Sequence, residues 1–119
     1  MTGNFTSLIS DFVRLERDQW LPYEKIEELQ WERFKKILKY AYENTEFYKT
    51  RFQSIGIEPQ DIKEKKDLEK IPILTREDLK FPQELIARGF KQNTMKSSMT
   101  SGSTGRKTTV YFDKRAWLK

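Results

Sequence analysis

Residues 100–107 read TSGSTGRK, and this short stretch governs how the rest of the chain is interpreted. Two glycines lie among four hydroxyl residues, and a basic pair follows at once. Glycine lets a backbone turn successive N–H groups inward, and such a concave row of N–H groups attracts anions. Hydroxyl groups add hydrogen-bond donors, and the basic pair adds charge. The stretch therefore predicts a polyphosphate-binding loop with eight candidate residues: Thr100, Ser101, Gly102, Ser103, Thr104, Gly105, Arg106 and Lys107.

Other interpretations of this loop are open from the residues alone. Short stretches rich in glycine, serine and threonine commonly form flexible linkers or hairpin turns. The loop is not a Walker A motif, which has four residues between its glycines and then Gly-Lys-Ser/Thr. Here two residues separate Gly102 from Gly105, and the three spaced glycines of the dinucleotide fingerprint are absent.

The sequence on either side of the loop favours a binding role. Residues 108–112 read TTVYF and are rich in the β-branched and aromatic residues that strands prefer, and residues 94–100 read TMKSSMT, a weaker strand pattern. Strand, glycine loop and strand predict a β-hairpin. A hairpin holds its loop rigidly, as a binding loop requires.

The sequence before the hairpin predicts helices. Apolar residues recur at steps of three and four over residues 5–20 and 23–44, and a short helix is predicted over residues 46–54. A short helix is predicted to start at Thr75, since Thr75 and Asp78 fit a capping box, and one or two further helical turns are predicted over 82–88. We therefore expect an α/β protein, with an α+β arrangement in these 119 residues. A helical N-terminal region would occupy residues 1–92, and a hairpin with its loop and the start of a helix would occupy residues 93–119.

Composition excludes several classes of site. The chain has 119 residues, no cysteine and no histidine, so it holds no Cys/His zinc site, no thiol nucleophile and no Ser-His-Asp triad of its own. No apolar run is long enough to span a membrane. Residues 1–11 lack the basic start and apolar core of a signal peptide, so a cytoplasmic location is the expectation.

Charge is unevenly distributed along the chain. Residues 1–30 carry six acidic and three basic residues, a net charge of −3, whereas residues 81–119 carry eight basic and two acidic residues, a net charge of +6. The positive end coincides with the glycine loop, and a positive field favours an anionic partner. A solvated lysine-rich surface is the alternative.

The last residues predict an unfinished helix. Asp113 is a suitable N-cap, and residues 115–118 begin a helix that is too short to be stable alone. We therefore expect this chain to be the front piece of a longer protein. A frayed basic tail is the alternative.

Several segments, in order, resemble the phenylacetate–coenzyme A ligase-like proteins of the adenylate-forming superfamily. Residues 41–48 resemble that family's "AYENxxFY" segment, residues 71–79 its "lPiLTKeDL" segment, and residues 100–105 the superfamily's phosphate-binding loop. The strand and turn after that loop match residues 110–114, so the resemblance covers about residues 25–117. The TSGSTG version is similar to the branch linked to capsular polysaccharide biosynthesis.

The resemblance implies part of an ATP-dependent ligase, with an incomplete adenylate-forming domain. In that family a carboxylate and ATP give an acyl-adenylate, and a thiol, usually coenzyme A, then accepts the acyl group. ATP and Mg²⁺ are the implied cofactors, with coenzyme A as a further candidate, and a nucleotide (ATP or AMP) and a carboxylic acid are the implied ligands. The family's adenine pocket, magnesium-binding acid and catalytic lysine have no counterpart here, so no catalytic residue and no metal ligand is assigned. Lys107 stands where the family places proline, and it therefore does not inherit the role of the family's lysine.

Two other functions compete with this one. The first is a basic nucleic-acid-binding fragment, in which Tyr111, Phe112 and Trp117 stack on bases. Acidic residues are interleaved with basic ones through most of the chain, which disfavours a continuous basic stripe. The second is a helical interaction module, in which residues 5–44 dock on a partner or form an oligomer through apolar helix faces.

Overall fold

The structure, a computed structural model, describes residues 3–101 and 107–117. Helices come first and a small antiparallel sheet follows, so the expected α+β arrangement is confirmed. Within these described ranges, four 3₁₀ turns connect the larger elements, at Pro59–Asp61, Lys65–Lys70, Asp78–Lys80 and Gln92–Thr94. Those elements are α1 (Gly3–Asp18), α2 (Tyr23–Asn44), α3 (Glu46–Ser54), α4 (Pro82–Leu85), β1 (Lys96–Met99), β2 (Thr109–Phe112) and α5 (Lys114–Trp117).

A single residue, Thr45, separates α2 from α3. Its N–H makes the last hydrogen bond of α2, to the carbonyl of Ala41 at 2.9 Å, and its extended backbone ends the helix. Its hydroxyl accepts a hydrogen bond from the backbone N–H of Tyr48 at 3.4 Å, which caps the start of α3. Threonine suits this place because a side-chain oxygen satisfies an N–H group that the first helical turn leaves unpaired. The two helices are therefore joined with almost no loop.

The core lies where α2 and α3 pack against the chain that follows them. Phe52 is completely buried, Ile62 is 2% exposed and Leu38 is 6% exposed, and the three form one cluster. Gly56 turns the chain back toward this cluster with φ of +68°, a left-handed conformation that glycine adopts without strain. Partly buried apolar side chains surround the three: Trp31, Phe34, Tyr42, Tyr48, Ile57 and Ile71.

A buried carboxylate connects helix α1 to α2. Asp18 accepts hydrogen bonds from Arg33 of α2 at 2.5 Å and from Arg17 at 3.1 Å. These contacts, with that of Arg33 the stronger, hold the pKa of Asp18 below its usual value. The predicted helix forms, but Phe12 and Val13 on it are 65% and 60% exposed. The apolar side of α1 is therefore largely uncovered.

One helical turn forms within residues 82–88, where one or two were predicted, and it ends before residue 88. Helix α4 ends at Leu85, and Ile86 is extended with ψ of 125°. The backbone N–H of Arg88 donates instead to the carbonyl of Asn44 at the end of α2, at 2.8 Å. A hydrogen bond to a distant carbonyl thus takes the place of a second helical turn. None of the helices in the described ranges has the length and apolar content of a membrane span.

Candidate functional site

The glycine-rich stretch connects the two strands of the predicted hairpin. β1 and β2 pair antiparallel, with Lys96 opposite Phe112 and Met99 opposite Thr109. Beyond the last pair, Thr100 N–H donates to the carbonyl of Thr108 at 2.9 Å, and Thr108 N–H donates to the hydroxyl of Thr100 at 3.0 Å. The two ends of the loop are therefore fixed next to each other.

The eight candidate phosphate-binding residues fall into two groups. Thr100, Ser101 and Lys107 are exposed at the two ends of the loop. The structure brings Thr100 close to Lys107 in space, because Thr100 is hydrogen-bonded to Thr108, the next residue along. The other five, Gly102, Ser103, Thr104, Gly105 and Arg106, lie outside the described residues.

Side-chain contacts hold the hairpin to its surroundings. Gln92 Nε2 donates to the hydroxyl of Tyr111 at 2.7 Å. The rings of Phe112 and Trp117 meet edge to face, with their centroids 5.7 Å apart. Asp113 Oδ1 accepts from the backbone N–H of Ala116 at 2.6 Å, which confirms the predicted cap of the last helix.

An apolar cleft of about 600 Å³ lies between the hairpin and the chain around α4. Phe90 and Val110, which border it, are both more than 40% exposed. Ligand sites are commonly clefts of this size with mostly apolar walls. Leu79, Leu85 and Phe112 line it as well.

A second cleft, of about 610 Å³, lies beside the foot of the hairpin and has a different lining. Arg76 and Lys80 contribute to it from the segment before α4, and Lys107 contributes from the end of the loop. Sequence reasoning identified Lys107 but missed Arg76 and Lys80 as neighbours of the loop. The one hint in the sequence was that residues 71–79, which include Arg76, and residues 100–105 of the loop both resemble segments of the same family.

The segment that carries Arg76 is fixed by the carboxylate of Asp78. Asp78 Oδ2 accepts from the hydroxyl of Thr75 at 2.6 Å and from its backbone N–H at 2.7 Å, and the Asp78 N–H donates to the Thr75 hydroxyl at 3.4 Å, so the predicted capping-box hydrogen bonds form. The helix itself does not start at Thr75, because the 3₁₀ turn begins at Asp78. Asp78 Oδ1 accepts from Arg51 Nη2 of α3 at 2.6 Å. The Thr75 hydroxyl, the Thr75 N–H and the charge of Arg51 together lower the pKa of Asp78. The capping carboxylate is therefore ionised at neutral pH.

The donor set at the foot of the hairpin fits a phosphate group better than a metal ion. Hydroxyls and cations stand there, and phosphate oxygens accept hydrogen bonds from both. In residues 3–101 and 107–117, no group of three or more acidic side chains is arranged to hold a metal ion. The described residues therefore offer no ligand set for Mg²⁺.

Comparison with known proteins gives one consistent result. The chain is 36% identical over 100 residues to the phenylacetate-coenzyme A ligase of Escherichia coli (strain K12), covering 82% of this chain and 23% of that protein. It is 33% identical over 96 residues to the ligase of the same name from Thermus thermophilus, covering 79% of this chain and 21% of that protein. It is 33% identical over 89 residues to the phenylacetate-coenzyme A ligase of Aromatoleum evansii, covering 73% of this chain and 20% of that protein. The chain thus spans about a fifth of the length of these curated relatives, and no protein-family model matches it.

Proposed function

We propose that this chain supplies part of the nucleotide-phosphate site of an ATP-dependent, adenylate-forming ligase. The premise is its sequence similarity to the phenylacetate–coenzyme A ligases. The observation that carries the proposal is the hairpin, whose hydrogen-bonded ends at Thr100 and Thr108 hold a loop with the composition of a phosphate cradle. In this assignment residues 1–92 form a helical supporting region, and residues 93–119 carry the loop.

The chemistry of adenylation explains what such a loop would do. A carboxylate oxygen attacks the α-phosphorus of ATP, the bond to the bridging oxygen breaks, and pyrophosphate leaves with the electron pair. Negative charge builds up on the leaving group, so donors that neutralise it accelerate the step. Backbone N–H groups between Gly102 and Gly105, with the hydroxyls of Ser101, Ser103 and Thr104, would bind the β- and γ-phosphates. Arg106 and Lys107 would add positive field at the edge.

We further propose that this chain alone does not catalyse adenylation. The described residues offer no acidic cluster for Mg²⁺, and Asp113 is the only acidic residue after Glu84 in the sequence. Sites for the carboxylic acid and for coenzyme A would come from the four fifths of a ligase that this chain does not match. We place the protein in the cytoplasm, where ATP and coenzyme A are available. The TSGSTG form of the loop supports placing it in the branch linked to capsular polysaccharide biosynthesis.

Nucleotide titration tests the proposal. We expect ATP to shift the amide resonances of Thr100, Ser101 and Lys107 in a saturable way, and the double variant Gly102→Val/Gly105→Val to lose most of this binding. Ser98→Ala, on the exposed strand β1, is the matched control and should bind ATP as the wild type does. No pyrophosphate should be released from ATP with aryl or fatty acids.

Two results would refute it. Pyrophosphate release by the 119-residue chain would refute the statement that it does no chemistry alone. Saturable binding of an oligonucleotide, with no saturation by ATP, would favour the nucleic-acid function instead.

A second candidate function is self-association through α1. It is favoured by the exposure of Phe12 and Val13, since a contiguous apolar helix face in water is commonly an interaction surface. Light scattering after size exclusion should then show a dimer for the wild type and a monomer for Phe12→Ser. A monomeric wild-type chain at high micromolar concentration excludes this candidate.

A further inference from the structure

The basic cleft beside the hairpin carries more positive charge than its ion pairs neutralise. Glu77 borders this cleft and pairs with Lys80. Arg76 and Lys107 have no ion-pair partner among the residues that the structure describes. Two uncompensated cations from segments far apart in the sequence thus line one concave surface. A concave surface with unpaired positive charge attracts anions and focuses the field.

Arg76 stands on a segment whose position is fixed, unlike most surface cations. Its neighbours Thr75 and Asp78 form the capping box, and Asp78 is also bound to Arg51 of α3. The guanidinium of Arg51 in turn lies 4.7 Å from the ring centre of Phe47, which is buried. A chain of contacts therefore leads from the body of the protein to the backbone at Arg76. A fixed backbone reduces the conformational entropy that an arginine loses on binding.

We propose that Arg76 and Lys107 form a second anion-binding site beside the glycine loop, and that it binds the terminal phosphates of a nucleoside triphosphate or pyrophosphate. This inference rests on the proposed function and adds a residue from outside the loop. Arginine presents two parallel N–H donors that match two phosphate oxygens, whereas lysine contributes a point charge. Thr108 and Thr109 line the same cleft and bring hydroxyl groups to it. Arg76 is the ligand-contacting group, and Asp78 is a positioning residue that acts through the segment.

Titration of the 119-residue chain with inorganic tripolyphosphate tests the assignment. Calorimetry or amide chemical shifts would follow the wild type, Arg76→Gln and Lys107→Gln. A lost charge-assisted hydrogen bond pair should weaken binding about tenfold for Arg76→Gln, and loss of a point charge should weaken it about threefold for Lys107→Gln. Lys66→Gln is the matched control, since it removes the same charge from an exposed side chain that pairs with Glu64 elsewhere on the surface. It should change affinity by less than about twofold.

Two further variants separate direct contact from a structural role. Arg76→Lys keeps the charge but loses the paired donors, so it should bind with affinity between those of the wild type and Arg76→Gln. Asp78→Asn should weaken tripolyphosphate binding by less than Arg76→Gln does. Raising the salt concentration should not restore the affinity that Asp78→Asn loses. Thermal unfolding of each variant, followed by circular dichroism, reports whether the fold is intact.

The outcomes distinguish this inference from the proposed function. If tripolyphosphate and ATP fail to bind the wild type, the proposed function and this site both fall. If they bind and Arg76→Gln behaves as Lys66→Gln does, the second site is overturned while the loop's function stands. If oligothymidylate of matched charge binds equally well and with the same dependence on Arg76, the phosphate-tail assignment is overturned in favour of general polyanion attraction.

Discussion

Two regions of this chain differ in what holds them in place. In the helical body, residues 23–71, α2 and α3 pack around one buried cluster, and Phe52 and Ile62 are shielded from water. In the hairpin end, residues 96–117, Met99 and Val110 are 61% and 43% exposed. A two-stranded hairpin is marginally stable in water without further packing. The region with the candidate binding groups is therefore the one with less stabilisation of its own.

This difference shows that the packed core and the candidate binding groups lie in different regions of the chain. Binding loops are commonly drawn from the least stable parts of a fold, while a better-packed part positions them. Here the hydrogen bond from Gln92 to Tyr111 is a contact of the hairpin end with the chain before it, whereas the ring contact of Phe112 with Trp117 lies within the hairpin end. Substitutions in the helical body should therefore lower global stability, and substitutions in the hairpin end should have local effects.

Truncation of the core should give the largest effect. Phe52→Ala leaves a cavity at a fully buried site and should lower the free energy of unfolding by about 3–5 kcal/mol, enough to unfold part of the population. Val110→Ala, at a half-exposed position in the hairpin end, should cost less than about 1 kcal/mol. Urea unfolding followed by circular dichroism measures both. Equal costs would contradict the contrast between the two regions.

A pH series on Asp67 should give a smaller effect and tests the electrostatics of the helical body. Lys70 and then the backbone N–H groups of Glu64 and Lys63 lower the pKa of the buried Asp67 from 3.8 to about 2. A carboxyl whose pKa is lower in the folded state stabilises the fold above its unfolded pKa, and this stabilisation is lost as the pH falls through the folded pKa. The difference in unfolding free energy between wild type and Asp67→Asn should thus be constant above about pH 5 and shrink between about pH 4 and pH 2.

Glu69→Gln is the matched control for this series, because it removes an exposed carboxylate from the same 3₁₀ turn. Its difference from the wild type should stay small across the same range. A difference for Asp67→Asn that does not change with pH would contradict the assigned contacts.

Loss of one side-chain acceptor at the mouth of the hairpin should give the smallest effect. Thr100→Val removes the oxygen that accepts from the Thr108 N–H, a hydrogen bond worth about 1 kcal/mol. Hydrogen exchange at the Thr108 amide should speed up about fivefold, while the urea midpoint stays unchanged. Thr94→Val is the control, because it removes a hydroxyl that donates to the carbonyl of Lys91 instead. It should not change the rate of hydrogen exchange at the Thr108 amide. A large loss of global stability in Thr100→Val would show that the two regions unfold together.

Predictions from the sequence succeeded where the signals are local. Apolar spacing predicted helices over residues 23–44 and 46–54, and the structure confirms both as α2 and α3. The hairpin was likewise predicted from residues next to each other in the chain. The phosphate-binding role of the eight loop residues stays a prediction.

Predictions from the sequence failed where distant residues compete. Nothing near Ile86 signals that the helix stops at Leu85, because the carbonyl that accepts from the Arg88 N–H belongs to Asn44, far away in the chain. Nothing near Arg76 signals that it shares a cleft with Lys107. Apolar spacing predicted α1 correctly as a helix, but it did not predict that Phe12 would remain exposed.

The order of residues was enough to set where most helices and strands form, since helix periodicity, caps and turn residues act over three or four positions. Family resemblance, which the relatives confirm, also came from the residues alone. Tertiary packing, in contrast, set which apolar face is buried and which cations meet. Those outcomes depend on contact free energies between residues far apart in the chain, and no local pattern encodes them.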